Sequence, residues 1–249
     1  MNVLDLFSGI GGFSLGLERA GMKTVAFCEI DKFCRKVLKK NFPGVPIFTD
    51  IRKLNGKAIK KSVGTIDVIC GGFPCQDISA ANAKAAGITG RRSGLWKEYK
   101  RLICEVQPRF AIMENVSALL SRGLDVVLGD LAEIGFDAEW HCIPASSVGL
   151  PHARERVWIV AYSQRLRLSP LFYEIKKELD NKSTKEKETI QPSVCIDMGE
   201  IGKFHYPQYL RVVDGISKEL ALQGIKQIGN AVVPAIPEII GKAIMQVRE

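Results

Sequence analysis

Apolar runs that end in acids or glycines alternate with amphipathic segments over the first half of the chain. Residues 2–7, NVLDLF, form a short apolar run, and the segment after SGIGG has Phe13, Leu17 and Ala20 at helical spacing before Gly21. This pattern predicts a strand, a glycine turn and a helix that ends at Gly21.

The same alternation continues beyond the first helix. KTVAFCEID and VPIFTDI predict two further strands, with the periodic segment KFCRKVLKKNF between them as a helix. TIDVICGGFPCQ is a nearly continuous apolar run, as in a parallel strand buried on both faces, and RFAIMENV predicts a fifth strand. The sequence therefore predicts an α/β fold with a doubly wound, mostly parallel sheet.

The carboxyl ends of these strands form the candidate site, because ligands of such sheets bind beyond them. They contain the ranges Phe7–Gly12, Glu29–Asp31, Asp50–Ile51, Gly71–Cys75 and Glu114–Asn115. A random distribution of surface acids would not place nearly every polar residue of interest in this register. We therefore expect one ligand site along this edge.

The glycine turn and the acids after the second and third strands suggest what the ligand is. Glycines let a ligand approach the backbone closely, and a helix N-terminus favours a negative group, which a carboxylate satisfies as well as a pyrophosphate. Glu29 is placed to accept from ribose hydroxyls, and Asp50 to accept from an exocyclic amine. The pattern predicts an adenosine that carries a small tail with an anionic end.

Cys75 is the candidate nucleophile, because it follows the rigid Pro74 at a strand end where a thiol is exposed. Most free cysteines are small buried hydrophobes, an interpretation that suits Cys70 better. The chain has seven cysteines and three histidines, without a pair at zinc-ligand spacing. We expect reduced thiols and no metal site.

Composition and charge narrow the class of protein. The 249 residues, 46% of them hydrophobic, suit one globular domain with a small appendage. The net charge is +8, and residues 32–61 hold ten basic residues and one acid, while residues 76–109 hold seven and three. A polyanionic partner explains these clusters, and solvated helix faces explain the first one equally well. Without a membrane-spanning stretch or a signal peptide, we expect a cytoplasmic protein.

Seven motifs in order resemble those of the cytosine-C5 DNA methyltransferases: DLFSGIGGFSLGLERAG, CEID, GGFPCQDIS, SGLW, MENV, PHARERVWIV and IGNAVVPA. The tail RVVDGISKELALQGIKQIGNAVVP is most similar to compact phage and prophage members. The resemblance implies a Rossmann-like, S-adenosylmethionine-binding catalytic domain over residues 1–161 and 210–249. Residues 162–209 then form a short target-recognition segment.

The resemblance also implies roles for the catalytic residues. The Cys75 thiolate would add to C6 of a cytosine, Glu114 as a protonated carboxyl would hydrogen-bond N3 and the amino group, and Arg156, together with Arg154, would bind O2. The activated C5 would then receive the methyl group of S-adenosylmethionine. No residue is assigned to removal of the C5 proton.

The cofactor-binding residues that the resemblance implies lie at the strand ends and in the last motif: Phe7, Gly9, Ile10, Gly11, Gly12, Glu29, Ile30, Asp50, Ile51, Gly71, Pro74 and Asn230. Phe7 would lie against the adenine. Asn230 would tie the last motif back to the cofactor site, and a helix N-cap is an equally good interpretation of it.

The DNA-binding residues are expected in the stretch QDISAANAKAAGITGRRSGLW, which we interpret as a loop that closes over a flipped-out base. Ser79, Arg91 and Arg92 would contact phosphates, with a solvated arginine pair as the alternative. ELDNKSTKEKET has almost no apolar residue, so we expect a reduced recognition lobe in which only Arg211 represents the arginine-bearing block of longer members.

Two other functions are weighed against a DNA methyltransferase. A transfer-RNA methyltransferase of the same lineage would carry a CFT signature, which is absent. A nucleic-acid binder that has lost catalysis would not need Cys75, Glu114 and Arg156. We therefore expect a monomeric DNA (cytosine-5-)-methyltransferase that acts on duplex DNA in a bacterial or phage-infected cell. The sequence leaves open which site it recognises and whether a restriction endonuclease accompanies it.

Overall fold

The computed structural model describes residues 1–74, 95–150, 154–166 and 231–246, together with residues 171, 175–177 and 179. Within these ranges, seven strands form one sheet: β1 (Asn2–Leu6), β2 (Lys23–Cys28), β3 (Ile47–Phe48), β4 (Val68–Gly72), β5 (Phe110–Val116), β6 (Phe136–Pro144) and β7 (Glu155–Ser163). Their order across the sheet is β3-β2-β1-β4-β5-β7-β6. Strands β1 to β5 are parallel, and β7 runs antiparallel to both β5 and β6.

Helices cover both faces of this sheet. They are α1 (Gly12–Arg19), α2 (Lys32–Asn41), α3 (Gly56–Val63), α4 (Leu95–Val106), α5 (Leu119–Arg122), α6 (Leu124–Glu133) and α7 (Ala235–Gln246). Short 3-10 turns lie at Ile51–Lys53 and Ala145–Val148. The predicted α/β fold with a mostly parallel sheet is confirmed, as are its first two helices.

The alternation along β1 shows how the sheet divides the core. Leu4 and Leu6 belong to one buried cluster together with residues of α3, α4 and α6, whereas Val3 belongs to a second cluster with residues of α1 and α7. Successive side chains of a strand point to opposite faces, so the sheet is the middle of three layers.

The third strand is shorter than VPIFTDI suggested, because Asp50 ends it. The Asp50 carboxylate accepts from the Arg52 backbone N–H at 3.1 Å and thereby caps the 3-10 turn that begins at Ile51. Strand β3 keeps two residues, and Asp50 still lies at its carboxyl end.

Close contact between α1 and α7 depends on glycine. A Cβ atom on Gly16 would lie 2.2 Å from the carbonyl oxygen of Pro234, and one on Gly241 would lie 2.7 Å from the Cβ of Ala20. Small residues therefore bring α7 directly against the helix that follows the glycine turn. None of the helices in the described ranges is long and apolar enough to span a bilayer.

Candidate active site

The glycine turn is fastened to the end of β2 by Glu29. The Gly9 N–H donates to Oε2 of Glu29 at 2.7 Å, and the Asp31 N–H donates to Oε1 at 2.7 Å. Glu29 is only 8% exposed. Gly9 has a φ of 53°, and no atom lies within 4 Å of the place where its Cβ would be. An open backbone position beside a buried carboxylate fits the predicted nucleoside ligand, whose hydroxyls need an acceptor.

The other two glycines of the turn serve packing. A Cβ on Gly11 would lie 2.7 Å from the Phe42 ring, and one on Gly12 would lie 2.5 Å from the carbonyl oxygen of Val232. Protein atoms already fill these positions, so a ligand can approach Gly11 and Gly12 only through their backbone. Within the turn, Gly9 is therefore the glycine that faces open space.

Four further residues at these strand ends are predicted to bind the cofactor. Phe7 adopts a left-handed φ of 52°, which costs a residue other than glycine about 1–2 kcal/mol. Ile30 is 66% exposed, and Ile51 is buried. Asp50 forms a 2.8 Å ion pair with Arg52, whose hydrogen bonds hold the pKa of that carboxyl below its usual range. The Asp50 carboxylate is therefore ionised and already has one partner.

Glu114 lies at the end of β5 with a cation on the neighbouring strand. Arg156 on β7 is opposite Val116 in the register and faces the same side of the sheet as Glu114. Its Nε lies 2.9 Å from Oε1 of Glu114. Burial raises the pKa of Glu114, while the charges of Arg156 and Arg154 act in the opposite direction. Burial therefore favours the protonated form of this carboxyl group, which could donate its proton.

A glycine on β4 makes room for this carboxyl. Gly72 pairs with Glu114 in the parallel register, and a Cβ on Gly72 would lie 2.8 Å from Oε2 of Glu114. Oε1 faces Arg156 on the other neighbouring strand. The two oxygens of Glu114 therefore have different surroundings.

Arg154 ties β7 to the segment before α7. Its Nη1 donates to the carbonyl oxygen of Ala231 at 3.1 Å. Together with Glu114, Arg156 and Trp158, it lines a concave surface completed by apolar residues of β6 and of residues 231–236. Residue 231 follows Asn230, which lies outside the described residues. The structure thus brings the three described catalytic candidates together: Glu114, Arg154 and Arg156.

Three of the described cysteines, Cys28, Cys34 and Cys70, are poor nucleophiles. Cys70 is fully buried in β4, and burial raises its pKa well above the ordinary value. Burial likewise raises the pKa of both Cys28 and Cys34 to about 12. The prediction that Cys70 is a buried structural residue is confirmed. Cys75 lies outside the described residues, as do Ser79, Arg91, Arg92, Arg211 and most of residues 162–209.

The chain nevertheless leads from β4 directly toward Cys75. Asn115 of β5 donates from Nδ2 to the carbonyl oxygen of Phe73 at 3.2 Å. Phe73 is buried and precedes Cys75 by two residues. The backbone that leads toward Cys75 is therefore fastened to the residue that follows Glu114.

Sequence reasoning missed Asp5, which is fully buried in the middle of β1. Its Oδ2 accepts from Ser14 Oγ at 2.6 Å, and its backbone carbonyl accepts from Ser8 Oγ at 2.6 Å. Burial raises the pKa of Asp5 to about 7, although the Ser14 hydrogen bond opposes this rise. One acid inside the apolar run NVLDLF was the available signal.

Among the described residues, no group of three or more His, Cys, Asp or Glu side chains could hold a metal ion.

Comparisons with known proteins identify sequences similar to this chain. Residues 1–203 match the family model described as C-5 cytosine-specific DNA methylase. The chain is 34% identical over 247 residues to the type II methyltransferase M2.BsuMI of Bacillus subtilis, covering 95% of this chain and 59% of that protein. It is 32% identical over 172 residues to M.HhaI of Haemophilus parahaemolyticus, covering 68% of this chain and 51% of that protein.

Solved structures also resemble this chain. An Escherichia coli prophage-encoded protein assigned as a DNA modification methyltransferase superposes with a TM-score of 0.59 at 31% identity, covering 68% of this chain and 49% of that one. DNMT2 of Spodoptera frugiperda superposes with a TM-score of 0.57 at 25% identity, covering 68% and 52%. The chain thus spans between about a half and three fifths of the length of these relatives.

Proposed function

Since the chain belongs to the C-5 cytosine-specific DNA methylase family, we propose that it is a DNA (cytosine-5-)-methyltransferase. In this function a methyl group passes from S-adenosylmethionine to C5 of a cytosine that has been flipped out of duplex DNA. The observation that carries the proposal is the half-buried Glu114–Arg156 ion pair near the end of β5, beside the strand that leads to Pro74 and Cys75.

The proposed reaction starts with activation of the cytosine ring, because C5 alone is too weak a nucleophile. The Cys75 thiolate adds to C6 and forms a C6–S bond, while the ring electrons move toward N3. Glu114 donates its proton to N3, and Arg156 and Arg154 donate hydrogen bonds to O2. C5 thereby becomes nucleophilic.

The charges around Glu114 support this division of roles. Oε1 accepts from Arg156, so we assign the transferable proton to Oε2, which faces Gly72. The raised pKa of Glu114 favours the protonated form that N3 requires. Once C5 carries the methyl group, loss of the C5 proton to a base breaks the C6–S bond and restores the thiolate, and N3 returns its proton to Glu114. No residue is assigned as the base that accepts the C5 proton.

The strand ends that hold Phe7, Gly9 and Glu29 would bind the cofactor. S-adenosylmethionine, when bound, supplies an electrophilic methyl group. Glu29 would accept from the ribose hydroxyls, and Phe7 would lie against the adenine with Ile30, Asp50 and Ile51 nearby. Gly9 to Gly12, Gly71, Pro74 and Asn230 would complete the site.

Duplex DNA is the proposed partner. Ser79, Arg91 and Arg92 would contact phosphates, and residues 162–209 would contribute target recognition. We further propose that the protein acts as a monomer in the cytoplasm of a bacterial or phage-infected cell, where its DNA substrate lies. A companion restriction endonuclease is compatible with this function and is not required for it.

A covalent trap tests the proposal. DNA that contains 5-fluorocytosine cannot lose its C5 substituent, so the protein with S-adenosylmethionine should form a stable adduct whose mass maps to the peptide that contains Cys75. Methyl transfer to ordinary DNA is followed in parallel by bisulfite sequencing, which also identifies the recognised site.

Two cysteine variants serve as a matched pair in this experiment. Cys75→Ser should abolish both the adduct and methyl transfer, while S-adenosylmethionine binding stays within about twofold of the parent, because the thiol serves the base. Cys70→Ser should keep the adduct. An adduct that maps to Cys70, or substantial turnover by Cys75→Ser, would refute the assignment.

A further inference from the structure

Four aromatic side chains form a continuous row beneath the candidate site, which we call the aromatic row: Phe7, Tyr99, Trp96 and Phe73. The ring centroids of Phe7 and Tyr99 are 6.4 Å apart, those of Tyr99 and Trp96 are 5.8 Å apart, and those of Trp96 and Phe73 are 5.4 Å apart. The first two pairs are nearly parallel, with interplanar angles of 22° and 27°.

One end of the aromatic row lies at the proposed cofactor-binding turn, and the other lies at the segment that leads to Cys75. Phe7 follows β1 directly and opens the turn that contains Gly9, whereas Phe73 follows β4 directly and leads to Cys75. These strands are neighbours in the sheet. Trp96 and Tyr99 lie three residues apart on α4, so one face of that helix contacts both strand ends.

Hydrogen bonds fix the middle of the row. The Tyr99 hydroxyl donates to the carbonyl oxygen of Ile112 at 3.1 Å, and Trp96 Nε1 donates to Oδ2 of Asp130 at 2.7 Å. The other oxygen of Asp130 accepts from Lys100 at 2.7 Å. Tyr99 and Trp96 are also fully enclosed, with at most 1% of their surface exposed. The two central rings therefore have little freedom to move independently of α4.

Ordinary core packing explains aromatic pairs, and other such pairs in the described ranges, Phe13–Trp158 and Phe27–Phe42, are isolated. The aromatic row differs because it joins two strand ends through rings that have few rotatable bonds. Close-packed interiors transmit a displacement instead of absorbing it. A shift of Phe7 on ligand binding would therefore reach Phe73.

We propose that Tyr99 and Trp96 are positioning residues that link the cofactor turn at Phe7 to the backbone at Phe73, so that a ligand in the cofactor site changes the reactivity of Cys75. This inference rests on the proposed function, because it uses the proposed cofactor site and nucleophile. A reaction between two bound substrates gains from such a link, since misplacement by about 1 Å can reduce the rate about a hundredfold.

Thiol alkylation tests the link without requiring methyl transfer. The rate at which iodoacetamide alkylates Cys75 is measured by peptide mass spectrometry with and without saturating S-adenosylhomocysteine, and the exposed Cys104 provides an internal reference. In the parent protein, we expect the ligand to change the Cys75 rate by about fivefold or more.

Two Tyr99 variants separate the ring from the hydroxyl. Both lack the hydrogen bond to Ile112, but Tyr99→Phe keeps the row and Tyr99→Leu interrupts it. Tyr99→Phe should retain the parental ligand effect within about twofold, whereas in Tyr99→Leu the rates with and without ligand should agree within about twofold. In the methyl-transfer assay, kcat of Tyr99→Leu should fall about tenfold or more at unchanged cofactor Kd, and Tyr99→Phe should restore it.

Phe136→Leu is the matched control, since Phe136 is equally buried but lies outside the row on β6. It should lower stability while keeping the ligand effect on Cys75. The link is overturned if Tyr99→Leu keeps the parental effect of the ligand on the Cys75 alkylation rate, or if Phe136→Leu loses that effect to the same extent. It is also overturned if the ligand binds the parent protein without changing the Cys75 rate.

A second variant covers the case in which Tyr99→Leu does not fold. Phe7→Leu interrupts the row at its partly buried end and, at ligand saturation, should also remove the effect on Cys75; a retained effect would again overturn the link. Absence of S-adenosylhomocysteine binding in the parent, measured by titration calorimetry, would refute the proposed cofactor site and the link with it. Binding without a Cys75 response refutes the link alone.

Discussion

Glycine is needed at two adjacent positions at the end of β4, and the structural reason differs between them. A Cβ on Gly72 would meet Oε2 of Glu114 at 2.8 Å, which is the far end of a flexible side chain. Gly72→Ala should therefore move the carboxyl group while leaving the backbone in place. We expect methyl-transfer kcat to fall about tenfold to a hundredfold, with a free energy of unfolding within about 1 kcal/mol of the parent.

The neighbouring glycine supplies the control for that experiment. A Cβ on Gly71 would lie 2.1 Å from the backbone oxygen of Leu6 on β1, and that atom cannot move without disturbing the sheet. Gly71→Ala should lower the free energy of unfolding by about 1–3 kcal/mol in urea titrations. Gly72→Ala could instead destabilise the protein as much as Gly71→Ala does and regain its kcat on cooling. That result would show that the loss of activity comes from lowered stability and not from displacement of Glu114.

The raised pKa of the buried Asp5 carboxyl predicts that the stability of the protein depends measurably on pH. Its pKa rises from 3.8 to about 7 in the folded protein, so between these pH values the folded state holds a proton that the unfolded state has lost. Stability from this group is present in full below pH 3.8 and declines as the pH rises to about 7, by up to about 4 kcal/mol.

Asp5→Asn isolates this contribution, because an amide oxygen can still accept from Ser14 without ionising. The difference in unfolding free energy between variant and parent should increase in favour of the variant from pH 4 to pH 8. The same difference at both pH values would mean that Asp5 has an ordinary pKa or is reached by water.

The candidate functional residues that could be predicted from sequence are those that lie at the end of a strand. Glu29 and Glu114 follow apolar runs, so their position could be read from pattern alone. Gly72 and Asn115 act through spatial contacts across β4 and β5, and only the strand register reveals those contacts. Cys75 and Asn230 remain predictions, as do the roles of Glu29 and Glu114.

At the scale of elements, Gly16 sets the distance between α1 and α7. Its Cβ position lies 2.2 Å from the Pro234 carbonyl oxygen and 2.9 Å from the Glu238 nitrogen, both backbone atoms. Gly16→Ala should lower the free energy of unfolding by about 1–3 kcal/mol, although alanine favours helix by about 1 kcal/mol. Urea unfolding followed by circular dichroism measures this change.

Gly129 in α6 provides the matched substitution, since nothing lies within 4 Å of its Cβ position. Gly129→Ala should stabilise the protein by up to about 1 kcal/mol through helix propensity alone. Equal effects of the two substitutions would show that α1 and α7 are not in close contact in solution.

The strands that alternate with helices were predictable because each parallel strand is an apolar run of its own. The antiparallel pair β6 and β7 was not predicted, and β6 had a visible signal. FDAEWHC alternates apolar and polar residues, as expected for a strand with two different faces. The length of β3 could not be read from pattern, because an aspartate cap decides where it ends.

At the scale of the whole molecule, the positive charge is concentrated in the segment that forms α2, β3 and α3. Residues 32–61 carry an excess of nine basic residues, whereas the whole chain has an excess of eight. Lys32, Lys36, Lys39 and Lys40 are all exposed on α2 and have no acidic partner among the described residues. Such a cluster creates a local positive potential that exceeds the effect of net charge.

Replacement of these four lysines by glutamine should weaken binding to non-specific duplex DNA. The log-log salt dependence should become less steep by up to about 0.9 for each phosphate that the variant no longer neutralises, as measured by fluorescence anisotropy. The control replaces four exposed lysines outside α2, Lys53, Lys57, Lys60 and Lys61, and therefore has the same net charge. Equally weakened binding in both quadruple variants would show that net charge acts, and that the α2 cluster has no special role.

The contact between Gly16 and Pro234 also has a consequence for synthesis on the ribosome. The two residues are more than two hundred positions apart, and α7 covers the face of α1 that contains Phe13 and Leu17. At a synthesis rate of about 5–20 residues per second, α7 is made roughly 10–40 s after α1, and until then it cannot cover that face. The nascent chain therefore exposes this apolar surface of α1 until α7 has been synthesised.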